Sequence, residues 1–357
     1  MSGQSTQTQT PTDIVISIRQ INYDPSRKEE FNQNNIRELT PFRAYKNDNP
    51  PASFSGSPIF GPRVLYIERG FWDKLKRHQL AIDLINEYYG PGCIIVVPDG
   101  ELPQYEPNDD TGYWLVYRAW CQIYNAENWW HVFGKSGAAL IPVSDTAQRL
   151  MLGQRQLTPE LLTRSAISKL LIDLDTQIHN MQTRCGRQEL FIKTSAKSTK
   201  HDIPVQPITN AMDAINYLLP SPTIQGVLSR DEPIALLIRP WNPNVSDDNE
   251  IRVFIQDNRI KAVSQQYLYS SSPVLGMIFM YQHQEIYQKI NDWWQRPEVQ
   301  QLGYQDAVLD MYITPECEVE LIEINCGGNG WGPAGSSLFT WSEINSVPNG
   351  KCVFAYY

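Results

Sequence analysis

No Cys-x-x-C pair occurs in this chain, and its six cysteines (Cys93, Cys121, Cys185, Cys317, Cys326, Cys352) are scattered over 357 residues. That spacing excludes zinc ribbons and dithiol redox motifs, and reduced, mostly buried thiols are expected. Nowhere do 18 apolar residues run together, so no membrane-spanning helix is expected. The opening MSGQSTQTQTPTD has neither a basic n-region nor an apolar h-region, which points to a soluble, unexported, cytoplasmic protein with a frayed tail. Positive charge is in deficit: 30 Lys and Arg stand against 39 Asp and Glu, a formal charge of −9. That balance disfavours nucleic acid as a partner. Histidine is sparse, with five isolated residues (His78, His131, His179, His201, His283), and no repeat period is visible.

What is present is an ordinary globular composition, 41% apolar and 19% charged, in a chain long enough for two or three packed lobes. Prolines at 41, 50, 51, 58 and 62 read as an extended, helix-free connector over 40–62. A strand over 64–67, a helix over 72–89 and a strand over 93–97 make a β-α-β pattern with parallel strands. The aromatic-rich stretch 114–132 reads most simply as another helix and 138–142 as a strand, completing a small α/β lobe. Gly134-Lys135-Ser136-Gly137 lacks the upstream glycine of a phosphate-binding P-loop. Thr158 as N-cap and Pro159 at the first helical position open a helix running to about Met181, with Lys169 at the edge of its apolar face.

The chain is organised around 307–342. Two β-patterned runs, 308–313 and 319–324, flank a turn at Pro315 and predict a hairpin. Glu323 and Asn325, two apart, share a face, and a paired strand brings Asp310 alongside. Two carboxylates and an amide oxygen in one place suit Mg²⁺, which takes a few carboxylates plus phosphate oxygens and water. Gly327, Gly328, Gly330, Gly332 and Gly335 follow at once and allow backbone N–H groups to approach an anion. Metal first and anion loop next suggests ATP chemistry, although an acidic strand end before a glycine-rich turn also occurs as a plain surface hairpin.

Upstream, the strand 190–193 ends in Lys193 and runs into 194–200, small, polar and basic residues suited either to a flap over a triphosphate or to a solvated turn. A strand over 235–238 is broken by Arg239-Pro240-Trp241-Asn242-Pro243. Strands 250–255 and 259–263 form a hairpin about Asp257-Asn258. Arg252, centred in a strand, requires an anionic partner, and a phosphate or a carboxylate would each serve. A helix over 277–294 carries Trp293 and Trp294 as packing residues, and 354–357 reads as an added strand.

Taken in order, LFIKTSAKSTKHD, EIRVFIQDNRIKAVSQ, AVLDMYI, VELIEIN and GSSLFTWSEI resemble the cell division cycle protein 123 family within the ATP-grasp superfamily, over roughly 165–345. The resemblance implies an α/β (α+β) ATP-grasp fold behind a small pre-ATP-grasp-like lobe. It divides the chain into a tail and connector (1–61), the lobe (62–157), the ATP-grasp domain (158–345, small lobe about 165–240, metal-binding lobe about 241–345) and a C-terminal extension (346–357). It implies ATP and Mg²⁺ as cofactors, with Asp310, Glu323 and Asn325 on the metal. Lys193, Arg252, Ser195 and Lys197 would attend the phosphates, Ile238, Arg239 and Trp241 would form the adenine hinge, and Lys169 would be the helical first lysine. Eukaryotic members carry Asp-x-Asn-Pro where this chain has Glu323-Ile324-Asn325-Cys326, and its glycine loop is richer than theirs. Those departures resemble the catalytic ATP-grasp enzymes.

Two functions follow. One is an ATP-grasp ligase joining a carboxylate to an amine or similar nucleophile through an acyl phosphate, with Lys193 and Arg252 offsetting charge and a small-molecule or peptide acceptor. It needs no histidine triad. The other is an ATP-binding chaperone that assembles a translation initiation factor with a protein partner. A third, nucleic-acid ligation, sits badly with the acidic charge.

Overall fold

A computed structural model describes residues 14–21, 42–46, 63–90, 92–103, 107, 109–134, 137–200, 202–230, 232–267, 271–314, 316–327 and 338–357. The expected tail, most of the proline-rich connector, Lys135-Ser136, Pro315 and the glycines from Gly328 to Gly335 lie outside them.

In chain order the strands are β1 (Val15–Gln20), β2 (Phe42–Lys46), β3 (Arg63–Glu68), β4 (Ile94–Val97), β5 (Ala139–Val143), β6 (Leu190–Thr194), β7 (Ile234–Pro240), β8 (Glu250–Gln256), β9 (Arg259–Gln265), β10 (Ala307–Ile313), β11 (Val319–Asn325) and β12 (Lys351–Tyr356). The helices are α1 (Arg69–Leu75), α2 (Gln79–Tyr89), α3 (Asp110–Gln122), α4 (Ala126–Trp129), α5 (Asp145–Met151), α6 (Pro159–Leu162), α7 (Ser165–Cys185), α8 (Ala211–Leu218), α9 (Pro222–Leu228), α10 (Pro273–Trp294), α11 (Pro297–Gln300) and α12 (Trp341–Ser346). The chain forms two compact units, 1–121 with 245–357, and 122–244.

The first unit holds a six-stranded sheet ordered β1-β12-β9-β8-β10-β11. The antiparallel core β9-β8-β10-β11 is built from two hairpins. Asp257 and Asn258 both sit at positive φ (48° and 63°), the left-handed pair that a two-residue hairpin turn requires and that Asp and Asn tolerate. Strand alternation sends Val253, Ile255 and Leu309 to one face and Phe254 and Val308 to the other. Helix α10 packs against β12, β1 and β11, with Phe279 edge-on to Phe354 at 5.0 Å. Opposite, Phe254, Val308, Leu338, Phe339, Trp341 and Ile344 form a second cluster. Its α12 is held by a capping box in which Thr340 accepts from the Glu343 N–H and Glu343 accepts from the Thr340 N–H.

A three-stranded sheet, β2-β3-β4, completes this unit, with β3 and β4 parallel as the β-α-β reading requires. The helix expected over 72–89 is two helices, parted at Lys76–His78. His78 is extended there (φ −115°, ψ 92°) and its N–H turns back to Leu75 O, so the helical ladder stops before α2 begins. The helix expected over 114–132 also breaks. Asn128 Nδ2 donates to the carbonyls of Gln122 and Ile123, and Trp129 Nε1 donates to Tyr124 O, so side chains take acceptors that further helical N–H groups would have used.

The second unit is an antiparallel sheet, β5-β7-β6, over a core formed with α5, α7, α8 and α9. Strand β5, expected within a lobe of 62–157, pairs instead with β7. Thr158 caps α6 through the Leu161 N–H as expected, but that helix is one turn long, and a new helix, α7, continues to Cys185 before Gly186 (φ 67°) ends it. Two further expectations are corrected. Residues 15–20 and 42–46, assigned to tail and connector, are strands, and β12 is no extension but an inner strand between β9 and β1.

Candidate functional site

The register of the six-stranded sheet sets four polar side chains in line. Glu323 on β11 faces Asp310 on β10, Asp310 faces Arg252 on β8, and Arg252 faces Ser264 on β9. Residues paired in this way share a sheet face. Asn325, two beyond Glu323, returns to that face, and a bulge after Asp310 interrupts the β10–β11 register on the far side.

The contacts are short and mutual. Arg252 Nε and Nη2 donate to Asp310 Oδ1 and Oδ2 at 2.7 and 2.8 Å, a two-pronged pair with Asp310 fully buried. Asn325 Nδ2 donates to Asp310 Oδ2 at 2.9 Å and to Glu323 Oε1 at 3.1 Å. Arg252 therefore has a carboxylate partner, one of the two alternatives its sequence left open. Burial opposes its charge, but Asp310, aided by Glu323 and Glu250, outweighs this and holds its pKa above the ordinary value.

Asp310, Glu323 and Asn325 thus converge, and their chemistry fits a small hard cation: two carboxylates and an amide within one hydrogen-bonded group. Turning the Asn325 amide would aim Oδ1 rather than Nδ2 at the cation. Among the described residues no three of His, Cys, Asp and Glu gather as a metal site; here the third oxygen must come from an amide.

Gly327 follows this group closely. A Cβ on it would lie 2.7 Å from Ala307 N and 2.8 Å from Ala307 Cα, so only glycine passes the start of β10 without displacing it. Its carbonyl accepts from Trp120 Nε1 at 2.9 Å.

The remaining predicted residues lie in the second unit. Lys193, paired with Leu237 across β6–β7, is 5% exposed. Ser195 is locked rather than loose: its N–H donates to Ala235 O, its Oγ accepts from the Ala235 N–H, and its carbonyl accepts from the Ala126 N–H. Lys197 is exposed, but its main chain closes a turn on Thr194, whose Oγ1 donates to Lys197 O and accepts from Lys197 N–H. Thr199 is buried and hydrogen-bonded to the Tyr217 hydroxyl. The segment expected as a flap is thus anchored at 194, 195 and 199, because its small polar residues bond to the sheet and to α8. Lys169 is exposed on α7. Ile238 is buried in the central strand, Arg239 stacks over the Phe133 ring at 3.8 Å, and Trp241 donates its N–H to Glu189 O and accepts at its carbonyl from Arg187.

Glu127 went unnoticed in the sequence. Burial pushes its carboxyl pKa up, an effect eased by Ser195, Ala235 and Lys193, and its Oε2 is buried with no hydrogen-bond partner among the described residues. One glutamate in AENWWHVF carries no signal, and only the fold sets it beside Ser195.

Sheet, ion-pair row and strand-end amide describe a mixed α/β protein with a built polar centre on one sheet face. The D123 family model matches residues 191–352, a little under half of the chain, and includes that whole row. Over this stretch the chain resembles the D123 family. Cdc123 from Schizosaccharomyces pombe is 16% identical with a TM-score of 0.49, covering 66% of this chain and 96% of its own. D-cycloserine synthetase DcsG is 9% identical with a TM-score of 0.37, covering 77% and 94%. The D-alanine-D-alanine ligase from Coxiella burnetii is 14% identical with a TM-score of 0.28, covering 55% and 50%. No curated protein sequence matches the chain. Among the described residues no helix is long and apolar enough to cross a membrane.

Proposed function

We propose that the chain is an ATP- and Mg²⁺-dependent ligase of the ATP-grasp type, joining a carboxylate to an amine or similar nucleophile. The observation that carries this reading is the convergence of Arg252, Asp310, Glu323 and Asn325 on one sheet face. Asp310 and Glu323 would hold the metal with Asn325, and Mg²⁺ when bound supplies charge neutralisation for phosphate oxygens. Arg252 fixes the Asp310 carboxylate in one orientation and keeps a positive charge at the row. Lys193 is proposed to offset phosphate charge, and the buried surroundings of both cations strengthen such interactions relative to water. Ser195, Lys197, Lys169 and the segment from Ile238 to Trp241 are proposed as the rest of the nucleotide contacts.

The substrate carboxylate would be activated by phosphoryl transfer and the phosphate then displaced, a sequence that requires positioning rather than a general-base triad. Mass spectrometry of nucleotide products decides the reaction type: ADP supports acyl phosphate formation, AMP argues against it, and no turnover with any amine or carboxylate pool sinks the ligase. The match of residues 191–352 to D123 favours one second reading, an ATP-binding assembly chaperone with a protein partner in a cytoplasmic setting. Stoichiometric capture of one protein without ATP turnover would select it.

Lys193→Ala is expected to weaken Mg-ATP binding about tenfold or more, the usual range for losing a charge-assisted contact, with little change in secondary structure. Calorimetric titration checks this, and unchanged affinity would return Lys193 to a structural role.

A further inference from the structure

The part of the chain outside the family match is tied to the polar row at two adjacent points. On α1, Lys74 Nζ pairs with Asp306 Oδ2 at 2.5 Å and Asp257 Oδ1 at 3.2 Å. Asp306 is buried, accepts from the Asp257 N–H at 2.9 Å and directly precedes Ala307, the first residue of β10. On α3, Trp120 is 2% exposed and donates its indole N–H to the carbonyl of Gly327, two residues beyond Asn325. Gly327 in turn lies directly against the Ala307 backbone. The two ties thus meet at one end of the β10–β11 hairpin, the end at which Asn325 stands. They are also joined to each other, since Phe71 on α1 packs edge-on against Trp120 at 4.9 Å.

We infer that Lys74 and Trp120 are positioning residues that clamp the Asn325 end of the hairpin and so fix Glu323 and Asn325 for a metal–nucleotide ligand. The inference rests on the proposed reading of Asp310, Glu323 and Asn325. A tie made only for stability would have no reason to fall on the short exit from the candidate ligands; a strand end has no following ladder to hold it, and Asn325 and Gly327 are separated by a single residue. The indole is suited to the task because it carries one donor on a rigid, fully packed ring, so its direction is set by the Phe71 and α3 packing rather than by solvent. Lys74 and Trp120 both lie outside residues 191–352, so the clamp reaches the matched segment from beyond it.

The test uses the full chain and two variants, Trp120→Phe, which keeps an aromatic ring but loses the indole N–H together with its five-membered ring, and Lys74→Met, which keeps the stem and removes the charge. Hydrogen exchange over 319–327 is expected to quicken about tenfold in Trp120→Phe, as follows from orphaning one buried carbonyl, while exchange over 259–265 stays at the wild-type rate. The Mg²⁺ concentration giving half-maximal ATP binding is expected to rise by a similar factor, with metal-free ATP binding in EDTA unchanged. Equal quickening over both segments would mark a merely structural residue, and unchanged exchange over 319–327 in both variants would overturn the clamp. Altered exchange with an unaltered Mg²⁺ requirement would overturn the positioning role. Wild-type protein that binds no Mg-ATP would sink the proposed function, and with it the metal-positioning part of the inference, while the exchange result would still decide whether the clamp exists.

Discussion

Asp310→Ala is expected to lower the unfolding free energy by about 3–5 kcal/mol, the usual penalty for stripping one partner from a buried ion pair. The loss falls on Arg252, which is 8% exposed and gives both its Nε and an Nη to that carboxylate. Without Asp310 a guanidinium remains in the sheet beside Phe254 and Val308 with its nearest countercharge gone. Against a typical domain stability of about 5–15 kcal/mol, such a change is easily seen as a shift in the urea midpoint. Two companions separate stability from binding. Glu323→Gln, at a half-buried position, should leave the midpoint nearly in place while removing Mg²⁺-dependent nucleotide binding. Arg252→Met with Asp310→Leu should regain most of the stability, because a buried pair is often no better than well-packed apolar residues, yet it should not regain the metal. A wild-type midpoint for Asp310→Ala would mean that Arg252 finds another partner at no cost.

The second large effect belongs to Gly327. Gly327→Ala sets a methyl group at 2.7–2.8 Å from three backbone atoms of Ala307, a fully buried residue held in register with Ile255. A backbone neighbour cannot swing aside as a side-chain tip can, so β10 or the exit from β11 must move. Overpacking of this kind typically costs about 1–3 kcal/mol. Because the move also displaces Asn325, Mg²⁺-dependent nucleotide binding is expected to fail with it. Gly226→Ala is the control of opposite sign. It lies within α9 with nothing near its would-be Cβ, so the substitution should stabilise by up to about 1 kcal/mol through helix propensity. In thermal melts the two variants should move in opposite directions; a raised midpoint for Gly327→Ala would contradict the first argument, and a lowered one for Gly226→Ala the second.

Where local patterning is strong, the elements could be read from the residues. Asp257-Asn258 and the alternating runs around it announced the β8–β9 hairpin, and the spacing of Asp310 from Glu323 allowed direct opposition once the next hairpin formed. The partner of Arg252 was not readable, because only cross-strand register decides between a carboxylate two strands along the chain and a phosphate from outside. Strand β1 was missed because it is an edge: Val15 and Ile18 are exposed, so its apolar residues do not stand out as a buried face. For β5 the strand pattern was legible and the partner was not, since pairing with β7 spans about a hundred residues of chain that no local rule governs. Trp120 was not singled out within the aromatic-rich stretch 114–132, and its donor role depends on a carbonyl 207 positions away.

The insertion of β12 between β9 and β1 also constrains the order of events during synthesis. Strand β1 leaves the ribosome long before its only sheet partner among the described strands, β12, which lies more than 330 residues further along the chain. Until then β1 must wait without a ladder, and β9 keeps an open edge. Such distant pairing places sheet closure late and makes it slow. A nascent chain stopped before Lys351 would therefore lose two strands rather than one, and residues 14–21 should remain open to protease until β12 has joined β9.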